Sequence, residues 1–256
     1  MFDILRIQHG DSHFAQCYLL LQKIFSPDEL VSRAEYEYLL SHPTCDHEFV
    51  MLARLSGNTL VGVVMGSYLT LQTNLVSDHS STHLQAFGMI EYLAVAQPGG
   101  GHGRALLKAF ESTMLQLAGE RNQHLCGVVG EVEEALLPFK FKTGYKLLEA
   151  VWYAQPPIAF DDQGWALHPV LPKLLMVKPF PDADDIDADL LRGMVARIYT
   201  KRYIPLTDPA IMIRIEEYIF RHIFSRFERS LMQRRSIRLL KAIDRETRLY
   251  VSNPEI

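Results

Sequence analysis

The sequence predicts an α/β fold: a mixed sheet with helices on its faces, followed by a carboxy-terminal helical extension. Three observations predict it. Alternating apolar segments recur from residue 2 to residue 178 and are separated by stretches with apolar residues at helical spacing. Residues 90–107 run from a strand pattern through Gly99, Gly100, Gly101 and Gly103 into a helix start. After Pro179 the composition turns acidic, with Asp182, Asp184, Asp185, Asp187 and Asp189, and then becomes apolar-periodic over 190–199 and 209–239.

The elements are expected in this order. Residues 2–8 alternate as a first strand, and 17–25 carry a helical apolar stripe. A second helix is expected from Ser26 as N-cap, with Pro27 at its first position and Val31, Tyr36 and Leu39 on its buried face, ending at His42-Pro43. Residues 49–55 and 60–71 read as an antiparallel hairpin about Ser56-Gly57-Asn58. Residues 72–83 read as a loop, 87–96 as a strand, 104–118 as a helix ended near Gly119, and 125–133 as a strand. A strand, a helix and a strand in succession imply a parallel crossover.

Residues 134–142 form a short helix candidate interrupted by Pro138. A long strand over 145–155 is expected to pair with 172–178 as a hairpin. The change at Pro179 marks a domain boundary, with 1–180 as one domain and 181–256 as the extension.

Composition narrows the function. A net charge of −4 and a pI near 6.2 give no global basis for binding nucleic acid. Ten Lys or Arg against five acidic residues between 214 and 248 read as a solvated helix face, with homodimerisation through the neighbouring aromatics as the competing reading. Cys17, Cys45 and Cys126 are too few for a disulfide framework or a zinc site, which places the chain in the cytoplasm. No stretch approaches the roughly 20 apolar residues of a membrane span. No His pair sits at helical spacing beside a carboxylate, so no metal is expected.

The glycine run is the feature with chemical content. Glycine lacks a Cβ, so the main chain can turn tightly and aim N–H groups at an anion held at the positive end of the following helix. Residues 99–104 therefore predict a phosphorylated cofactor. Glu131 and Glu133 share a strand face by period-two geometry and are candidate bases.

The element order and the residues from Ile90 to Leu107 resemble the GNAT superfamily of acyl-CoA-dependent N-acyltransferases. So does Pro138-Phe139-Lys140-Phe141-Lys142-Thr143-Gly144-Tyr145, which stands where that family has an aromatic-Tyr pair ahead of a Gly-aromatic pair. Tyr153-Ala154-Gln155-Pro156-Pro157 looks like the later strand of some members, and the resemblance spans roughly residues 1–180. The family loop commonly reads Gln or Arg, two residues, Gly, one residue, Gly or Ala. Here Pro98 holds the first of those positions, and the loop is shorter.

The resemblance implies transfer of an acetyl group from acetyl-CoA to a primary amine by direct attack in a ternary complex. It implies Glu91, on the strand before the loop, as general base, and a main-chain N–H near Leu93, Ala94 or Val95 polarising the acyl carbonyl. The donor's diphosphate would lie on Gly99, Gly100, Gly101, His102, Gly103 and Arg104. Where the family often places a tyrosine as acid toward the departing thiolate, this chain has Lys140, with Tyr145 and Tyr153 in reserve. No nucleophilic cysteine is required, so Cys126 is incidental. The alternatives are a catalytically weak acyl-CoA-binding or scaffold protein, and a transferase of longer acyl chains. The acceptor is expected to be a small-molecule or peptide amine.

Overall fold

The computed structural model describes residues 2–27, 29–71, 84–157, 160–163, 165–167, 169–204 and 209–242. The expected loop at 72–83 and the end of the basic stretch lie outside these residues. The chain forms two compact units. One comprises residues up to Thr70 together with 84 to Val128, the other Leu71 and residues from Val129 onward. Residue 180, the expected boundary, falls inside the second unit.

The first unit orders its strands as β1 (Phe2–Ile7), β2 (His47–Ser56), β3 (Thr59–Thr70), β4 (Gln85–Val95) and β5 (His124–Val132), the last continuing into the second unit. The first three pairings are antiparallel. Gly57, at φ +59°, opens the two-residue turn between β2 and β3. Helices α1 (Phe14–Ile24) and α2 (Arg33–Ser41) bury Phe14, Cys17, Leu21 and Tyr36 against Phe49, Met51, Ala53, Val63 and Met65. Helix α3 (His102–Glu120) takes the opposite face, where a Cβ on Gly62 or Gly88 would meet Leu106 or Met114.

The cap of α2 is Ser32 rather than Ser26. Both serines stand three residues ahead of a glutamate, the capping-box spacing. Ser26 closes only a local turn with Glu29. Ser32 accepts from the Glu35 amide, with Val31 and Tyr36 buried at the staple positions on either side of it. Burial of that apolar pair selects the second site.

The second unit orders its strands β5, β9 (Leu174–Pro179), β6 (Lys146–Leu148), β11 (Ser236–Leu240) and β10 (Asp185–Asp187), with β7 (Ala154–Gln155) paired separately to β8 (Leu171–Pro172). The long strand expected over 145–155 is thus two pieces. Ala150, at φ +54°, turns the chain between them, and both pieces pair antiparallel with the expected stretch, Lys146 and Leu147 with Val177 and Met176, and Ala154 with Pro172. Pro138 does not interrupt a helix. After a 3₁₀ turn at Glu134–Leu136 it sits in the first turn of α4 (Leu137–Lys142), where its missing N–H has no acceptor to lose.

Beyond residue 180 the chain is not wholly helical. Helix α5 (Ala188–Arg202) lies between β10 and α6 (Pro209–Tyr218), which runs through a π-helical segment, Ile219–Phe224, into α7 (Ser225–Leu231). The helix expected to reach 239 ends at Leu231, and 236–240 form a strand whose first three residues pair with β10 and whose last two, Leu239 and Leu240, pair with β6. Ile215, Ile219, Ile223, Phe227 and Leu231 are all buried. Four residues exceed one turn of about 3.6, so such a stripe would wind off a regular helix. The wider π turn takes up the excess and keeps the stripe on one face.

Candidate active site

Strand β4 leads directly into the glycine bend and then into α3. Gly99 and Gly101 have φ of +98° and +69°, and Gly101 is the N-cap of α3. Positive φ values on either side of Gly100 are the kind of backbone alternation by which successive amides can line a concave nest. A Cβ at Gly99 or Gly101 would meet nothing within 4 Å, so the bend faces open space. The first intrahelical rung here is Ala105 N–H to the Gly101 carbonyl at 3.1 Å. The amides of His102, Gly103 and Arg104 precede it and point out of the helix end, as at any helix N-terminus. Arg104 is exposed on that first turn.

His102 does not reach outward. Its ring packs edge-on to Phe2 with centroids 5.0 Å apart, and its Nε2 would lie 2.5 Å from a Cβ on Gly100. A side chain at Gly100 would therefore have to displace the far end of its neighbour's ring.

Upstream, the β3–β4 ladder is interrupted. Met65 faces Tyr92 and Gly66 faces Ile90, which leaves Glu91 as the extra residue of a β-bulge. The bulge switches which residues face each side of the sheet. Gly88 lies against Met114 of α3, whereas Tyr92 and Ala94, at even spacing from it, pack into the α1 and α2 cluster. Gly66 makes this geometry feasible, since a Cβ there would lie 1.9 Å from the Met89 carbonyl oxygen. Past the bulge, Leu93, Ala94 and Val95 keep regular register with Val64, Val63 and Gly62 of β3.

Glu91 is half-buried and accepts a hydrogen bond from Ser67 Oγ at 2.7 Å. Ser67 Oγ lies in turn 3.0 Å from His47 Nε2. Ser67 pairs with Phe49 on β2 and with Met89 on β4, so His47 and Glu91 are its diagonal neighbours, two residues along each partner strand. Sequence reasoning missed both, since neither residue lies within a motif. An isolated serine inside the apolar run of β3 was the available signal.

No protein-family model matches the chain, and no curated protein matches it in sequence. Among solved structures it is similar to a protein assigned to the GNAT family of acetyltransferases from Bacteroides thetaiotaomicron. The TM-score is 0.52 at 21% identity, over 78% of this chain and 98% of that one. The chain has the GNAT fold. It is also similar to NAA60 of Arabidopsis thaliana in complex with acetyl-CoA (TM-score 0.48, 14% identity, 69% of this chain and 99% of that one). A third likeness is to an aminoglycoside 6'-N-acetyltransferase complexed with coenzyme A (TM-score 0.43, 16% identity, 69% and 96%).

The remaining candidates belong to the second unit. Glu131, on β5, accepts from the Tyr153 hydroxyl at 2.5 Å and the Tyr203 hydroxyl at 2.6 Å. Burial, then the Glu131 charge, push the Tyr153 phenol well above its ordinary value, so it stays protonated and donates. Tyr199 stacks on Tyr153 at 5.8 Å and donates to the Ala154 carbonyl. Tyr199 and Tyr203 come from the segment beyond residue 180, outside the span the resemblance covered. Glu133 does not share the setting of Glu131. It lies past the end of β5, exposed, and pairs with Lys173 at 3.2 Å.

Lys140 is buried, and its Nζ sits 4.8 Å from the centre of the Tyr145 ring. Burial pushes the Cys17 and Cys126 thiols up to about 12, which leaves them poor nucleophiles at neutral pH. No helix among the described residues is long and apolar enough to cross a membrane.

Proposed function

We propose that the protein is an acyl-CoA-dependent N-acetyltransferase acting on a primary amine. The reading rests chiefly on the glycine bend, with positive φ at Gly99 and Gly101 and open space before it at the N-terminus of α3. The amides of 99–104 would hold the donor's diphosphate, with Arg104 adding a cation and the helix end a partial positive charge. Acetyl-CoA is here a substrate, and no metal takes part in the reading.

An alkyl amine with a pKa of about 10 is more than 99% protonated at neutral pH, so attack on a thioester needs a base. Glu91 takes that role, removing one proton from the ammonium to free the nitrogen lone pair, which then bonds to the acyl carbon; the second N–H proton passes to solvent as the tetrahedral intermediate collapses. A main-chain N–H among Leu93, Ala94 and Val95 stabilises the oxygen that becomes negative. The carbon–sulfur bond then breaks, releasing the thiolate and the amide. Because the amine reacts directly, no acyl-enzyme forms. The unpaired thiols of Cys17, Cys45 and Cys126 support a reducing, cytoplasmic setting.

A second reading, an acyl-CoA-binding protein with weak catalysis, is favoured by the buried Lys140 at the position where the family often has its acid. Calorimetric titration with acetyl-CoA and with CoA tests the shared premise. The expected result is binding that Gly101→Glu and Gly103→Glu abolish, and unchanged binding in both variants overturns either reading. Thiol release across a panel of primary amines then separates them. Decanoyl-CoA preferred over acetyl-CoA would mark a longer-chain transferase.

A further inference from the structure

Ser67, in the second half of β3, is completely buried, 0% exposed, with two polar partners within hydrogen-bond distance. A hydroxyl carries one hydrogen. With that hydrogen given to the carboxylate of Glu91, its oxygen can only accept from His47, which requires the hydrogen of the imidazole to be on Nε2. The order of donation is therefore fixed: His47 Nε2–H to Ser67 Oγ, and Ser67 O–H to Glu91 Oε1. Every hydrogen in this chain points toward the carboxylate.

We propose that Ser67 and His47 are positioning residues for Glu91. This rests on Glu91 as the general base. The bulge removes Glu91 from the β3–β4 ladder, so the register that locks its neighbours does not fix the direction of its side chain. Ser67 supplies that constraint from β3, and His47 fixes the hydroxyl from β2. Both strands belong to the same unit as the glycine bend.

The experiment compares the wild type with Glu91→Gln, Ser67→Ala, Ser67→Thr and His47→Ala. Steady-state thiol release from acetyl-CoA with small primary amines is combined with nitrogen-15 NMR of the His47 ring. Ser67→Ala and His47→Ala are expected to lower kcat by about 10- to 100-fold, as misplacement of a reacting group does. KM for acetyl-CoA should stay within about twofold, and Ser67→Thr, which keeps the hydroxyl, should recover most of the loss. The NMR should show the Nε2–H form in the wild type and lose that preference in Ser67→Ala. Full kcat in Ser67→Ala beside an inactive Glu91→Gln overturns the positioning role and leaves the base in place. Full kcat in Glu91→Gln overturns the base and the positioning role with it. A wild-type His47 in the Nδ1–H form overturns the proposal without reference to turnover.

Discussion

Ser67 Oγ lies 2.7 Å from Glu91 Oε1, beside the break in the β3–β4 ladder at Glu91. The bulge thus sets the facing of β4, and Ser67 sets the direction of its carboxylate. The bond joins residues 24 positions apart, and it exists only because Gly66 lets the two strands approach at that point.

Gly66→Ala is the sharpest test of the bulge. The added methyl would lie 1.9 Å from a main-chain oxygen and 2.9 Å from Phe110 Cζ, and backbone cannot give way as a flexible side chain can. A loss of about 3 kcal/mol or more is expected, a fall in Tm of roughly 6–12 °C. A melt unchanged from wild type would contradict the close approach.

Gly101→Ala separates backbone strain from ligand space. Gly101 and Gly57 have φ of +69° and +59°, and neither has a neighbour within 4 Å of a built Cβ. Each alanine variant is expected to cost about 1 kcal/mol through the left-handed conformation. Only Gly101→Ala should also weaken acetyl-CoA binding, by about tenfold or more, as read by calorimetry. Equal affinity in the two variants would place the ligand elsewhere.

Tyr153 and Tyr203 share one oxygen of Glu131, so the hydroxyl losses should not be equal. Tyr153 is almost fully buried and donates to a carboxylate, and Tyr153→Phe is expected to cost about 1.5–3 kcal/mol in urea unfolding. Tyr203→Phe leaves that bond in place and should cost less. The double variant should lose more than the two losses added together, because the carboxylate then lacks both donors.

Alkaline pH should destabilise the fold. Burial pushes Cys17 and Cys126 from 9.0 up to about 12, and burial, with the Glu131 charge, pushes Tyr153 and Tyr199 well above 10.0. These folded values lie above the unfolded ones. The stability they contribute is therefore complete below about pH 9 and is lost as pH rises above it, because the unfolded chain releases its protons first. Urea unfolding at about pH 8, 9.5 and 10.5 should show the fall, at up to about 1.4 kcal/mol per unit for each group. Cys126→Ser should weaken that pH dependence.

Much of the fold was legible in the chain because its signals are local. The hairpin of β2 and β3 and the passage from β4 through the glycines to α3 rest on alternation, turn residues and helical spacing within short windows. Pro138 and the 145–155 strand were misjudged where two local signals competed. A proline fits a helix start as well as a break, and nothing in the residues around Ala150 announces a left-handed turn.

The sequence by itself determined the order of most elements, the glycine bend and the apolar stripes, since each is a property of neighbouring residues. Tertiary structure alone decided that Glu91 sits in a bulge, that Ser67 and His47 reach it from other strands, that Lys140 is buried on Tyr145, and that Tyr203 joins Glu131. The physical reason is distance along the chain: strand register and burial depend on contacts between segments tens of residues apart, and no local pattern encodes which partner a side chain will meet.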